Sequence, residues 1–506
     1  MKRQYQGKDS ENKYLFSWSM LTIVMLILIF PVIYVGRYAY PWADDFTYGT
    51  LPHIAFSQTG SIVFTLWAAI KDTIDTYFGW QGTYTSCFLM EMHPAVFSMK
   101  MYHMTSFIML GAMFVSYFAL FRVIGKNVLK KERMDYELFI LTFLFSVELV
   151  DGKAEGFTWY NSAIHYTFGH ALFVLFLALL IKYVFSQEET RTLLVFASIC
   201  GFLAAGVNNI TVFGGMLFLS MVILFLVFTK LIFGEKDFSF IKKSLIPTAS
   251  FMAGALINLL APGNRSRMAT SDAIKNSIFV TIRNSFVLGF HFCLRHVRFE
   301  VLGFMILAGI LIWKTFSKLQ KENTFHFRFP FPLLVSALSF CLISALYSPF
   351  AFIETADISA EYIDRQLGVN RVSDSVFYVF ILLILLNEFY YIGWLFFKKQ
   401  LGYKKEIGVA LGAVATIMIV LSCVRIIAVY PERYLTSAAI YGIKNGTAVE
   451  YGEIMEENVN RFQSSEQNVE ILPITAKPDI LYPRDAAAYK DGAVLFFEKE
   501  SVYYKE

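Results

Sequence analysis

Charge is what this sequence has least of for its length. Only 17% of the 506 residues are Asp, Glu, Lys or Arg, 56% are hydrophobic, and the formal net charge is +4. A soluble globular chain carries about a quarter charged residues, so a soluble fold fits poorly. The few basic residues stand in short clusters between apolar runs rather than in one stripe, which argues against nucleic acid as a partner. The five cysteines include no C-x-x-C pair, which argues against a structural zinc site. Cys200, Cys341 and Cys423 lie inside apolar segments; Cys87 and Cys293 share a face where a disulfide is chemically allowed, though spacing does not establish one. P-loop, G-x-G-x-x-G, G-x-S-x-G and EF-hand patterns are missing, as is any internal repeat.

Long apolar runs are abundant. A bilayer core of about 30 Å needs roughly 20 apolar residues of helix. That template predicts about eleven spans, near 18–36, 102–124, 136–150, 164–185, 192–208, 210–233, 245–261, 299–317, 331–350, 376–397 and 407–430. The first run is too long for a signal peptide and lacks a small-residue cleavage site, so it reads as an anchor. Lys and Arg cluster in the N-terminal tail, in 126–133, 230–243, 314–328 and 398–405. Alternate threading of eleven spans puts all of these on one side, and the positive-inside rule then makes the N-terminus cytoplasmic and the C-terminus external. The expected fold is an all-α integral membrane protein: tail 1–17, multi-span domain 18–430, external loops 37–101, 151–163, 262–298 and 351–375, and a small external appendage 431–506.

Every unusual polar motif falls on the outer face. Asp44 and Asp45 follow the first span, ringed by Tyr38, Tyr40, Trp42, Phe46 and Tyr48. The apolar periodicity from Leu51 to Phe78 predicts a helix lying in the interface plane. Trp80 and Tyr84 flank Gly82 and offer flat surfaces on which a sugar ring can stack; an interfacial aromatic belt accounts for them equally well. Glu155, Trp159 and Tyr160 set a carboxylate among aromatics at a helix mouth, although a short loop also needs polar residues to face water. His165 and His170 are five apart, off the i, i+4 spacing of paired metal ligands. Asn208 and Asn209 suit a helix cap. Asn264, Arg265 and Arg267 follow a helix-ending Pro262-Gly263, and the planar guanidinium fork suits phosphate oxygens. The mixed charges of 351–375 read as a solvated helix, with Arg365 and Arg371 as a second anion contact. Runs at 469–474 and 493–497 look β-prone.

Asp44-Asp45-Phe46-x-Tyr48-Gly49, Trp80-x-Gly82-x-Tyr84-x-Ser86, Glu155-x-Phe157-x-Trp159-Tyr160 and Pro262-Gly263-Asn264-x-x-Arg267 together resemble a bacterial polytopic membrane family. That family is similar to the GT-C class of glycosyltransferases, near the O-antigen glucosyltransferase type. Some of its members carry Arg where Thr83 stands, or a carboxylate near Asn209. The resemblance implies a GT-C-like helix arrangement in a bacterial cell membrane. It also implies transfer of a sugar from a polyprenyl-phosphate donor to a cell-envelope glycan or lipid-linked acceptor. Asp44 or Asp45 would be the base, and Arg265, Arg267 and Asn264 would hold the donor phosphate. Tyr48, Trp80, Tyr84, Glu155, Trp159 and Tyr160 would contact substrate. A magnesium or manganese ion at the aspartates stays open, because two adjacent carboxylates are an incomplete site. The alternatives are a transporter or flippase of a lipid-linked glycan, for which Glu388 inside a span is the residue to watch, and an O-antigen-type polymerase or ligase.

Overall fold

The computed structural model describes residues 2–131, 135–186, 190–269, 275–322, 327–353, 359–399, 404–482 and 489–505. About 80% of the chain is helical. Eight helices are long and apolar enough to cross a membrane: Trp18–Tyr38, Met99–Val128, Tyr160–Phe185, Asn209–Ile232, Ser239–Ala269, Phe299–Glu322, Asn370–Phe396 and Lys405–Val429. Three of the predicted spans are shorter helices, Tyr136–Glu148, Arg191–Ala204 and Pro332–Leu346. At 1.5 Å per residue these reach only about 20–22 Å.

The outer surface of the bundle is apolar. Ile23, Ile27 and Phe30 of the first helix are exposed while Met25, Ile29, Val32 and Val35 are buried, so one stripe packs and the other meets lipid. Half of the apolar window of Asn370–Phe396 is buried but only 17% of that of Lys405–Val429, which makes the former central and the latter peripheral.

One irregular segment inside the bundle is buried and satisfied, as a membrane interior requires. Between Arg191–Ala204 and Asn209–Ile232, the Gly206 carbonyl accepts the amides of Thr85 and Ser86, and Asn258 donates its side chain to the Ala205 carbonyl. Asn208 caps the following helix through Thr211 N, as its position suggested.

Several expectations are corrected. The 51–78 stretch is two helices, Asp44–Thr59 and Ile62–Gly79, because Gly60 adopts a left-handed conformation between them. The second exposes Ile62, Val63, Phe64 and Trp67 and buries Thr65 and Ala69. Residues 151–163 are not a solvated loop: Lys153, Glu155, Phe157, Trp159 and Tyr160 are all buried. Asn370, Arg371 and Asp374 belong to the first turns of the central helix rather than to a loop; Glu354 and Asp357 lie outside the described residues. Only the first β-prone run pairs, with Asn468–Ile471 parallel to Ser501–Tyr504. Residues 489–496 are helical and carry the apolar face that covers Asp44–Thr59. All five cysteines are free thiols.

The C-terminal segment is fastened to the bundle. Arg433 pairs with Asp151, and Lys153 pairs with Asp479 at 2.7 Å. Thr158 donates to the Ile480 carbonyl at 2.6 Å, and Tyr434 donates to Glu300 at 2.5 Å. Burial pushes the Asp151 carboxyl up, but Arg433 and then Arg295 outweigh it and hold it below its ordinary value.

Candidate functional site

The four sequence motifs converge on one recess. Helix Asp44–Thr59 begins immediately after Ala43, and its first two residues face opposite environments. Asp45 is fully buried: its Oδ2 accepts the Trp42 amide at 2.8 Å and the Tyr102 hydroxyl at 2.6 Å, and its Oδ1 accepts the Asn161 amide at 2.9 Å. It thereby ties the first motif to the third. Burial pushes Asp45 up to about 7, against the pull of those three donors.

Asp44 instead is exposed. Surrounding protein still desolvates it and raises its carboxyl above the ordinary value, while Arg371 first and Arg267 second oppose the shift. A carboxylate that solvent reaches, that desolvation raises and that feels two guanidiniums is suited to exchange a proton with a hydroxyl.

The second and fourth motifs build one wall. Gly82 N donates to Asn264 Oδ1 at 3.0 Å, and the Asn264 amide donates to the carbonyls of Asn258 at 2.6 Å and Leu259 at 3.3 Å. A Cβ at Gly82 would stand 2.0 Å from the Asn258 carbonyl oxygen, so only glycine allows this approach. Arg267 Nη1 donates to Gln81 Oε1 at 2.8 Å, and Gln81 Nε2 donates to the Tyr48 hydroxyl at 2.9 Å. The Arg267 guanidinium lies over the half-exposed Trp80 ring, 5.0 Å from its centroid.

Arg371 is the second cation whose charge reaches Asp44, and its guanidinium carbon is 5.8 Å from the Trp159 ring centroid and 6.0 Å from that of Tyr166. Its Nε is buried and has no hydrogen-bond partner among the described residues. Beneath it, the carboxyls of Glu155 and Asp374 flank Gly152, and Asp374 accepts the Asp151 and Gly152 amides at 2.8 and 2.9 Å.

Asp44, Tyr48, Trp80, Trp159 and Arg267 are thus brought together. Arg265 is not: 262–269 is a helix, and residues two apart on a helix face away from each other. Arg371 stands where a partner for Arg267 was expected. Tyr84 donates to the Phe202 carbonyl at 2.6 Å and packs between helices. Asn264 has its amide committed to backbone. Glu155 and Tyr160 are buried behind the recess, where Tyr160 N donates to Tyr102 Oη at 2.9 Å. Sequence reading missed Gln81, which stands inside the second motif between two of its aromatics.

Magnesium and manganese require several oxygen ligands. Both Asp45 oxygens already accept hydrogen bonds, which leaves the single carboxylate of Asp44. Among the described residues no group of three or more His, Cys, Asp or Glu is placed to hold a metal. His165 and His170 have separate partners, Ser86 at 2.8 Å and Tyr117 at 3.1 Å. The side chains present do not fit such an ion.

Fold and surface together define an all-α, multi-pass membrane protein. Comparison with protein-family models gives no match, and comparison with curated proteins gives none either.

Proposed function

We propose that this chain is a GT-C-like membrane glycosyltransferase, taking a sugar from a polyprenyl-phosphate donor and passing it to a cell-envelope glycan or lipid-linked acceptor. The observation that carries the proposal is the exposed Asp44 carboxylate within electrostatic reach of both Arg267 and Arg371. In this reading Asp44 takes the proton of the acceptor hydroxyl as its oxygen bonds to the anomeric carbon. The anomeric carbon–phosphate oxygen bond breaks, and the electron pair leaves on the lipid phosphate. Arg267 and Arg371 stabilise that charge where it develops. Trp80 and Tyr48 offer sugar-facing surfaces, and Asp45 fixes the turn that presents Asp44. The three short helices complete eleven crossings of a bacterial cell membrane, with the N-terminus cytoplasmic, the recess at the outer face and the C-terminal segment outside.

The test is the purified chain in nanodiscs with a panel of polyprenyl-phosphate sugars. Donor binding that falls with Arg267→Ala and Arg371→Ala, and sugar transfer that falls with Asp44→Asn, supports the reading. Transfer undiminished in Asp44→Asn overturns it. A polymerase or ligase would share the same chemistry with a lipid-linked glycan as donor, and the panel separates them by donor. One observation favours a transporter or flippase instead: Glu388 Oε2 is buried inside the central helix without a hydrogen-bond partner among the described residues. Glycan translocation lost in Glu388→Gln but kept in Asp44→Asn would move the assignment there.

A further inference from the structure

Ala43, the residue before Asp44, has φ 38° and ψ −98°, a conformation that an L side chain rarely adopts. Such a turn persists only where its surroundings over-determine it. Here Asp45 holds the turn from within by accepting the Trp42 amide, and the far end of the chain holds it from outside. The helix Tyr489–Phe496 lies across the start of Asp44–Thr59: Tyr489 stacks on Trp42 with ring centroids 4.8 Å apart, and Phe496 packs against Phe46 at 5.3 Å and stacks on His53 at 4.1 Å. At its centre Gly492 meets the backbone itself. A Cβ there would stand 2.6 Å from the Ala43 carbonyl oxygen, 3.1 Å from Phe46 Cβ and 3.3 Å from Thr47 Oγ1. That carbonyl also accepts the amides of Phe46 at 3.1 Å and Thr47 at 3.3 Å, closing the first turn that carries Asp44.

We propose that Gly492 is a positioning residue: the C-terminal helix clamps the Ala43 turn through this backbone contact and so sets the direction of the Asp44 carboxylate. The proposal rests on the reading of Asp44 as the reacting base, and it makes the C-terminal segment part of the site. The closest atom that a side chain at 492 meets is backbone, the Ala43 carbonyl oxygen. The side chain must push that carbonyl, which loosens the first turn and swings Asp44.

The experiment uses the full chain in nanodiscs, with the five native cysteines replaced by serine and Asp44→Cys as a reporter. The rate of alkylation at position 44 by a charged thiol reagent is compared between the parent, Gly492→Ala, Gly492→Val and Gly452→Ala. Gly452 packs just as tightly, its Cβ meeting the Tyr38 ring at 2.6 Å, but lies against a different part of the chain. The expected result is a several-fold change in rate for the Gly492 variants and none for Gly452→Ala. Gly492→Ala carries the test if the valine variant does not fold. Equal rates in folded Gly492 variants and parent, or an equal change in Gly452→Ala, would overturn the clamp. In parallel, with Asp44 intact, Gly492→Ala should lower kcat roughly tenfold or more at unchanged KM, as expected for a displaced reacting group. If the parent transfers no sugar, the functional reading fails while the thiol measurement still decides the clamp.

Discussion

Arg267 reaches across 186 positions of chain to donate to Gln81 at 2.8 Å, and through Gln81 it is linked to Tyr48. Gln81 is the hinge of that wall, accepting from a cation with one end of its amide and donating to a phenol with the other. Gln81→Glu keeps the shape but sets a carboxylate against Arg267. Binding of polyprenyl phosphate should weaken roughly tenfold, about 1.4 kcal/mol, while Gln81→Ala should weaken it less; a titration in nanodiscs reads both.

The two aspartates should separate cleanly. Asp45→Asn places an NH2 against one of three donors in a fully buried site, which should cost about 1–3 kcal/mol of stability. Asp44→Asn faces an open recess and should leave the thermal midpoint nearly unchanged while abolishing transfer. Thermal unfolding and transfer measured on both variants check the pair of expectations.

The Arg371 Nε is buried and has no hydrogen-bond partner among the described residues. Arg371→Ala should weaken lipid-phosphate binding by about tenfold to a hundredfold, the range for hydrogen bonds to a charged group. Arg371→Lys should recover only part, because an ammonium cannot offer the planar fork. Added salt should weaken the parent's binding.

The C-terminal latch has a buried member. Lys153 is 3% exposed and pairs with Asp479. Asp479→Ala strands that ammonium and should cost about 3–5 kcal/mol, whereas Lys153→Met with Asp479→Ala should recover most of it. A double-mutant cycle on thermal unfolding gives the coupling.

Glu91 sets a pH dependence. Burial first, then the neighbouring Asp72 charge and a hydrogen bond to the Asp72 carboxylate, raise its carboxyl to about 10. The folded state therefore holds this proton more tightly than the unfolded chain, whose glutamate titrates at about 4.3. Its contribution to stability is complete below that value and is lost as pH rises toward 10. The protein should melt lower at pH 9 than at pH 6, and Glu91→Gln should flatten that difference and melt higher at the alkaline end.

Much of the layout was legible because long apolar runs and their basic flanks report a membrane environment directly. The motifs named the stretches that meet at the recess, yet neither chemical partnership nor burial could be read from them. Arg265 and Arg267 looked equivalent until 262–269 proved helical and turned them apart. Arg371 looked like one charge in a mixed loop because the start of the central helix at Asn370 is polar, which hides its helical nature from an apolar template. The residues at 493–497 looked like a strand because a short apolar run has no period of its own; packing on Phe46 and His53 decided for helix.

What the sequence determined by itself is the environment and the amount of helix, since both follow from local hydrophobicity summed over some twenty residues. What only the tertiary structure decided is which aspartate opens to the recess, which arginine faces it, and that the end of the chain returns to hold the beginning. Those outcomes depend on contacts between residues more than a hundred positions apart, whose geometry no local pattern encodes: Asp45 with Asn161, Arg267 with Gln81, and Gly492 with Ala43.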